Sequence, residues 1–216
     1  MDPYNFLIKV LVYAIPVIFA ITLHEAAHGY VARHFGDTTA YMLGRVSLNP
    51  MKHIDPLGTI LVPLVTLLLS GYMFGWAKPV PVNFNNLRDP KRDMLWVAAA
   101  GPVSNIAQMA IWAFAARMLT TLPETQVSSF WTAVSEAGIL VNAAFAILNL
   151  FPLLPLDGGR IVMSLLPNKL SYEYSRLEPY GMVILLVLII TGALGYLLNP
   201  LLVATLDQIY RLAGLA

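Results

Sequence analysis

Two histidines flank a glutamate in His24-Glu25-Ala26-Ala27-His28, inside an otherwise apolar run. On an α-helix, positions four apart share a face, so both imidazoles can reach one metal ion. Glu25 lies roughly a quarter turn round the same helix, close enough to take a proton from a water that the metal activates. By composition, such a run arises by chance in roughly 0.002 of chains of this kind. Its cost argues the same way. An ionisable side chain at mid-bilayer costs ~2.5 to 3.5 kcal/mol, and three of them fall within these five residues, so a divalent cation is the natural compensation. A metal-free polar cluster or proton relay is the competing reading.

Catalytic zinc sites take three protein ligands and leave a fourth position open. The chain has no cysteine, so the third ligand must be nitrogen or oxygen. Asp157 is the best candidate: it ends an apolar helix in Asn149-Leu-Phe-Pro-Leu-Leu-Pro-Leu-Asp157-Gly-Gly, where two prolines break the helix and two glycines release the backbone. An acid expected at the end of such a helix is placed to point back into a bundle. The bland alternative is an Asp-Gly turn.

The elements that must position these groups are membrane elements. Hydrophobic residues make up 58% of the 216 and charged residues 12%, about half the charged share of an ordinary soluble domain. Uncharged apolar runs at 11–23, 56–77, 94–116, 137–156 and 179–206 imply four or five crossings of a bilayer core that takes ~20 helical residues. Helices are expected over 6–34, 92–120, 130–150 and 178–198, with a separate short apolar segment at 200–212. Residues 41–56 read as a loop with possible short strands, and the prolines within 75–83 enforce extended backbone. Basic residues cluster in three connections and are missing from 121–129, which places the former in the cytoplasm and the latter outside. Because 57–73 lies between two basic connections, a re-entrant or partly spanning segment is expected there. A net charge of +1 argues against nucleic acid as a partner.

Taken together, the two motifs resemble the site-2 protease (M50) family of intramembrane zinc metalloproteases. In that family the pattern N-x-x-P-x-x-x-L-D-G supplies the third zinc ligand, and Asn149, Pro152, Leu156, Asp157 and Gly158 match it. Gly101-Pro102-Val103-Ser104-Asn105 resembles the family's G-P-x-x-N motif on a core helix between the other two, and 45–58 with 75–83 look like its compact bacterial branch. The resemblance spans residues 21–160. It implies an all-α polytopic membrane protein, with a site-2-protease-like core of three transmembrane helices, additional helices and a short extended or re-entrant region, all in one domain over 1–216. It implies one Zn²⁺ per chain on His24, His28 and Asp157, with Glu25 as the catalytic base. It also implies that Asn149 and Pro152 help hold an unwound substrate strand, that the substrate is a transmembrane protein in the lipid bilayer of a bacterial cell membrane, and that the site opens to the cytoplasm. Residues 75–83 could pair with that substrate as an added strand. Many relatives carry a PDZ or CBS domain, and no stretch here is long and polar enough for either.

Two further residues have open roles. Asn105 reads as a structural or substrate-contacting hydrogen bonder, and His53 either as a solvated loop histidine or as an auxiliary polar group at the site, an oxyanion donor or gate. Gly101 and Pro102 read as helix-packing residues. The rival functions are a transporter or channel, which also uses broken helices and intramembrane acids, and a catalytically silent scaffold that binds membrane segments. Retained function in Glu25→Gln would mark the first, and reporter cleavage that stops with the same change would exclude the second.

Overall fold

Three helices carry the frame: α1 (Pro3–His34), α3 (Pro90–Leu119) and α4 (Gln126–Asn149). The computed structural model describes residues 3–61 and 78–216. Between α1 and α3 lie a one-turn helix α2 (Thr39–Met42), a 3-10 turn at Pro50–Lys52, a π-helical turn at Pro56–Leu61 and a 3-10 turn at Phe84–Asn86. After α4 come α5 (Asp157–Leu165), α6 (Asn168–Ser175), α7 (Glu178–Ile190) and α8 (Ala193–Ala213). Among the described residues there is no strand, so the short strands considered for 41–56 are replaced by helical turns. The part of the expected re-entrant segment beyond Leu61, and the start of the extended stretch before Lys78, lie outside the described residues.

Within the described residues, Leu7–His34, Pro90–Leu119 and Gln126–Asn149 are long and apolar enough to cross a membrane. Their outward faces are apolar too, with Leu7, Leu11, Ile18, Phe19, Ile111 and Phe114 exposed, as lipid-facing surfaces require. The chain is an all-α membrane protein. α7 and α8 together pass the same test but are bent by 79° at their junction, so among the described residues there are three segments long and apolar enough to cross, or four if the bent pair counts as one span. This corrects the continuous helix expected over 178–198. Gly192 takes a left-handed conformation (φ 75°) between the two helices and ends the first of them. The segment expected separately at 200–212 is the body of α8, which runs on through Pro200.

Each core helix has a local reason to begin where it does. Asp89 caps α3 through the Arg92 N–H, Pro90 occupies its first position, and Asp93 returns a carboxylate to the Asp89 N–H. α4 starts four residues earlier than apolar periodicity suggests. Thr125 and Ser128 form a reciprocal capping box there, whose hydrogen bonds extend the helix into polar sequence. α1, α3 and α4 pack mutually through small residues: Ala20, Ala26, Ala32, Ala98, Ala143 and Ala146 are all buried, which lets membrane helices approach closely. α8 seals the outer part of this bundle by laying Leu202, Leu206 and Ile209 over Met109, Ala113, Ile139 and Ala143.

The end of α1 is tied to the approach to α3 by one buried acid. Asp37 accepts from the N–H and hydroxyl of Thr39, the N–H of Asn83 and the side-chain amide of Asn86. Burial alone would raise its pKa, but these donors outweigh burial and hold the carboxyl below its ordinary 3.8. A depressed folded-state pKa adds stability that is complete above the unfolded value and is lost as pH falls through the folded one. Asp37→Ala is therefore expected to lower stability by about 2 kcal/mol at neutral pH. Denaturation in detergent at several pH values should show the deficit shrinking below about pH 4; a deficit independent of pH would mean that the charge is not the source.

Candidate metal centre

The helix of α1 sets His24 and His28 one turn apart with their rings edge to face, centroids 4.7 Å apart. Both are buried. Each ring is held by the nitrogen that faces away from its partner. His24 Nδ1 lies 2.6 Å from Asn105 Oδ1 on α3, and His28 Nδ1 lies 2.7 Å from the Val97 carbonyl one helical stretch earlier. A carbonyl oxygen only accepts, so His28 carries a proton on Nδ1, and in the neutral ring that leaves the Nε2 lone pair for a metal.

α4 ends at Asn149, and the chain then turns through residues 150–156 before α5 begins. Asp157 is the first residue of α5, not the end of the preceding helix as its sequence context suggests. At a helix start, the unpaired N–H groups favour a carboxylate. The two glycines behind it allow the approach: a Cβ at Gly158 would collide with the Leu150 carbonyl, and one at Gly159 would collide with the backbone of Leu153 and Leu154. With no side chains there, the turn folds against the helix start and Asp157 reaches α1.

The carboxylate meets both rings. Asp157 Oδ2 is 3.2 Å from His24 Nε2, Asp157 Oδ1 is 3.4 Å from His28 Nε2, and the two Nε2 atoms are 3.1 Å apart. Four ligands at ~2.05 Å on a tetrahedron stand about 3.3 Å apart, so these separations are those of three corners around a zinc-sized cation. The chemistry fits as well: Asp157 Oδ2 is buried without a hydrogen-bond partner, and two imidazole nitrogens with a carboxylate are a donor set that catalytic zinc takes. His24, His28 and Asp157 form the one cluster among the described residues with donor atoms arranged to hold a metal ion. α3 contributes clearance, since a Cβ at Gly101 would stand 2.5 Å from His24 Nε2 and from His28 Nε2. That goes beyond the helix-packing role read from sequence.

Over 201 residues the chain is 39% identical to the Bacillus subtilis (strain 168) protein "Putative zinc metalloprotease YwhC", covering 92% of this chain and 89% of that one. The chain belongs to the YwhC family of zinc metalloproteases. "Putative zinc metalloprotease Rip2" of Mycolicibacterium smegmatis and of Mycobacterium tuberculosis (strain H37Rv) are each 28% identical over 179 and 178 residues, covering 82% of this chain and 66% of theirs. No family model matches the chain, and no solved structure matches it.

The remaining polar groups of this YwhC-family site fall into two sets. Glu25, half-buried, accepts a hydrogen bond of 2.7 Å from the Val80 N–H onto Oε2. Val80 stands between Pro79 and Pro81, which have no N–H, so within 79–81 it is the sole donor and it points at the glutamate. That segment is anchored twice more: the Lys78 N–H donates to the His53 carbonyl, and Arg45 Nη2 donates to the carbonyls of Lys78 and Pro79. His53 is buried, 1% exposed, which overturns the solvated-loop reading. Its Nε2 pairs with the Ser47 carbonyl and its backbone supports the segment that carries Val80.

Asn149 and Pro152 are not joined to the cluster by hydrogen bonds. The Asn149 amide donates back to Phe145 in its own helix, and the Pro152 carbonyl accepts the Tyr174 hydroxyl. Three contributors escaped sequence reading. The Val97 carbonyl and the Val80 N–H are backbone groups with no side-chain signature, and Asn142, fully buried on α4 against Asn105, stands alone between apolar neighbours and belongs to no motif.

Proposed function

We propose that this YwhC-family protein is an intramembrane zinc endopeptidase of the site-2 protease type, cutting peptide bonds in or near transmembrane segments of membrane proteins. The observation that carries the reading is the trio of ligand atoms at tetrahedral separations, set on and against a membrane-length helix with Glu25 beside them. His24, His28 and Asp157 hold the ion, and one zinc per chain is expected. When bound, zinc supplies Lewis acidity, polarising a peptide carbonyl and acidifying water. Glu25 accepts the proton released by the attacking water and hands it to the departing amine, which is its role as base and then acid. The Val80 N–H keeps the Glu25 carboxylate oriented between those two transfers. A helical substrate must unwind to expose its carbonyl, and Asn149, Pro152 and the backbone of residues 78–83 are the proposed places where the unwound strand rests. The proposed setting is a multi-pass protein of a bacterial plasma membrane with the site within reach of the cytoplasm, a sidedness that the basic connections support through the positive-inside rule.

Detergent-purified protein should contain about one zinc per chain, and Asp157→Ala should lose it. The same wild-type protein in nanodiscs should cleave a reporter whose labelled transmembrane helix carries a central helix-breaking pair, in a chelator-sensitive way. Folded wild type that takes up no zinc on reconstitution overturns the reading. Cleavage of soluble peptides with equal efficiency would retain the peptidase and remove its intramembrane character.

A further inference from the structure

Fully buried at the interface of α4 with α1 and α3 is a line of side-chain amides that begins on α4 and ends at the metal-facing cluster. Asn142 Nδ2 donates to the Gly138 carbonyl at 2.9 Å, Asn142 Oδ1 accepts from Asn105 Nδ2 at 2.9 Å, and Asn105 Oδ1 lies 2.6 Å from His24 Nδ1. Asn142 and Asn105 are both 0% exposed.

The line has a direction. A backbone carbonyl only accepts, so the nitrogen of Asn142 must face Gly138, and its oxygen therefore faces Asn105. That oxygen in turn requires the nitrogen of Asn105, which leaves the oxygen of Asn105 for His24. Facing an acceptor, His24 keeps its proton on Nδ1 and a lone pair on Nε2, the atom turned toward Asp157 and His28. If Asn105 were reversed, its N–H would meet His24 Nδ1, the proton would move to Nε2, and a metal could not bind there. Besides Asn142, the Asn105 nitrogen has a longer contact, 3.3 Å to the Ala20 carbonyl.

We infer that Asn142 is a positioning residue for metal binding: it fixes the orientation of Asn105 and thereby the tautomer of His24. This rests on the proposed zinc site but adds a residue to it that touches neither ligand nor substrate. His28 supplies an internal control, because its Nδ1 is held by a backbone carbonyl that cannot be reversed.

The test compares wild type with Asn142→Leu, which removes the acceptor at similar volume, and Asn142→Asp, which keeps an oxygen toward Asn105. Zinc affinity is measured by chelator competition in detergent, and histidine tautomers by ¹⁵N NMR of the metal-free protein. Removing outer-shell support typically costs 10- to 100-fold in metal affinity, so Asn142→Leu should bind about tenfold or more weakly, and Asn142→Asp within about threefold of wild type. In Asn142→Leu the His24 signal should move toward the Nε2–H form while His28 stays as it was. Packing alone predicts the opposite order, because leucine suits an apolar helix and a buried acid does not. Asn142→Leu with unchanged affinity and an unchanged His24 tautomer, or an Asp variant weaker than the Leu variant, overturns the inference. Wild type that binds no zinc would instead strike the proposed function, and the tautomer measurement would still judge the amide line on its own.

Discussion

Glu25→Gln protein will keep its zinc and lose its peptidase activity by about 10²- to 10⁴-fold, the range that a positioned general base contributes. The structure makes this substitution unusually clean. Glu25 accepts the Val80 N–H through one oxygen, and a glutamine carbonyl can accept the same hydrogen bond, so the segment 78–82 stays seated. Neither His24 nor His28 depends on Glu25 for its Nδ1 contact, so the ligand set is untouched. What disappears is the capacity to take up a proton. Zinc content by elemental analysis, read beside single-turnover cleavage of the transmembrane reporter, separates the two effects. A variant that keeps zinc and cleaves within about tenfold of wild type would place the base elsewhere. One that loses zinc would show that the carboxylate belongs to the metal's own shell.

The parts of this site that were legible in the sequence are those whose chemistry is local. His24 and His28 declare themselves because four residues on one helix make one face, whatever the rest of the chain does. Asp157 is legible through its setting of prolines and glycines, but its place is not: it opens α5 instead of closing α4, because the reversal lies in backbone conformation that glycine permits and does not dictate. Asn105 was recognisable as a polar residue in a motif, yet its task depends on which atom faces His24, and that turns on the acceptors its nitrogen meets, Asn142 37 residues away at 2.9 Å and the Ala20 carbonyl at 3.3 Å. The same limit governs the helices. α1 and α3 were readable from apolar runs, whereas the start of α4 depends on a capping box and the break before α8 on one left-handed glycine. These are features of one or two residues, a cap in polar sequence and a glycine within an apolar run, where hydrophobic periodicity carries little information.

A different kind of dependence makes Gly101 the most sensitive position that carries no functional group. Gly101→Ala should weaken zinc binding by about 100-fold while the protein stays folded, at the upper end of what disturbing a metal's surroundings does. The added methyl carbon would stand 2.5 Å from His24 Cε1, His24 Nε2 and His28 Nε2. A clash with the tip of a long flexible side chain is relieved by rotation. Here both rings are pinned at their far nitrogens, by Asn105 and by the Val97 carbonyl, so neither can retreat without giving up a buried hydrogen bond. The methyl also occupies the side of the cluster on which the metal-facing nitrogens lie. Ordinarily glycine to alanine inside a helix stabilises by roughly 0.5 to 1 kcal/mol, and Gly195→Ala is a fitting control, since its nearest neighbour to a new Cβ is an Asn199 amide at 3.8 Å. The control should match or exceed wild type in melting temperature and bind zinc normally. Metal-free Gly101→Ala should melt near wild type, and the gap between them should open on adding zinc, because the ligand stabilises only a protein that binds it. If Gly101→Ala gained as much from zinc as wild type does, the ion would have to sit away from the face that Gly101 clears, and the tetrahedral reading of His24, His28 and Asp157 would fail with it.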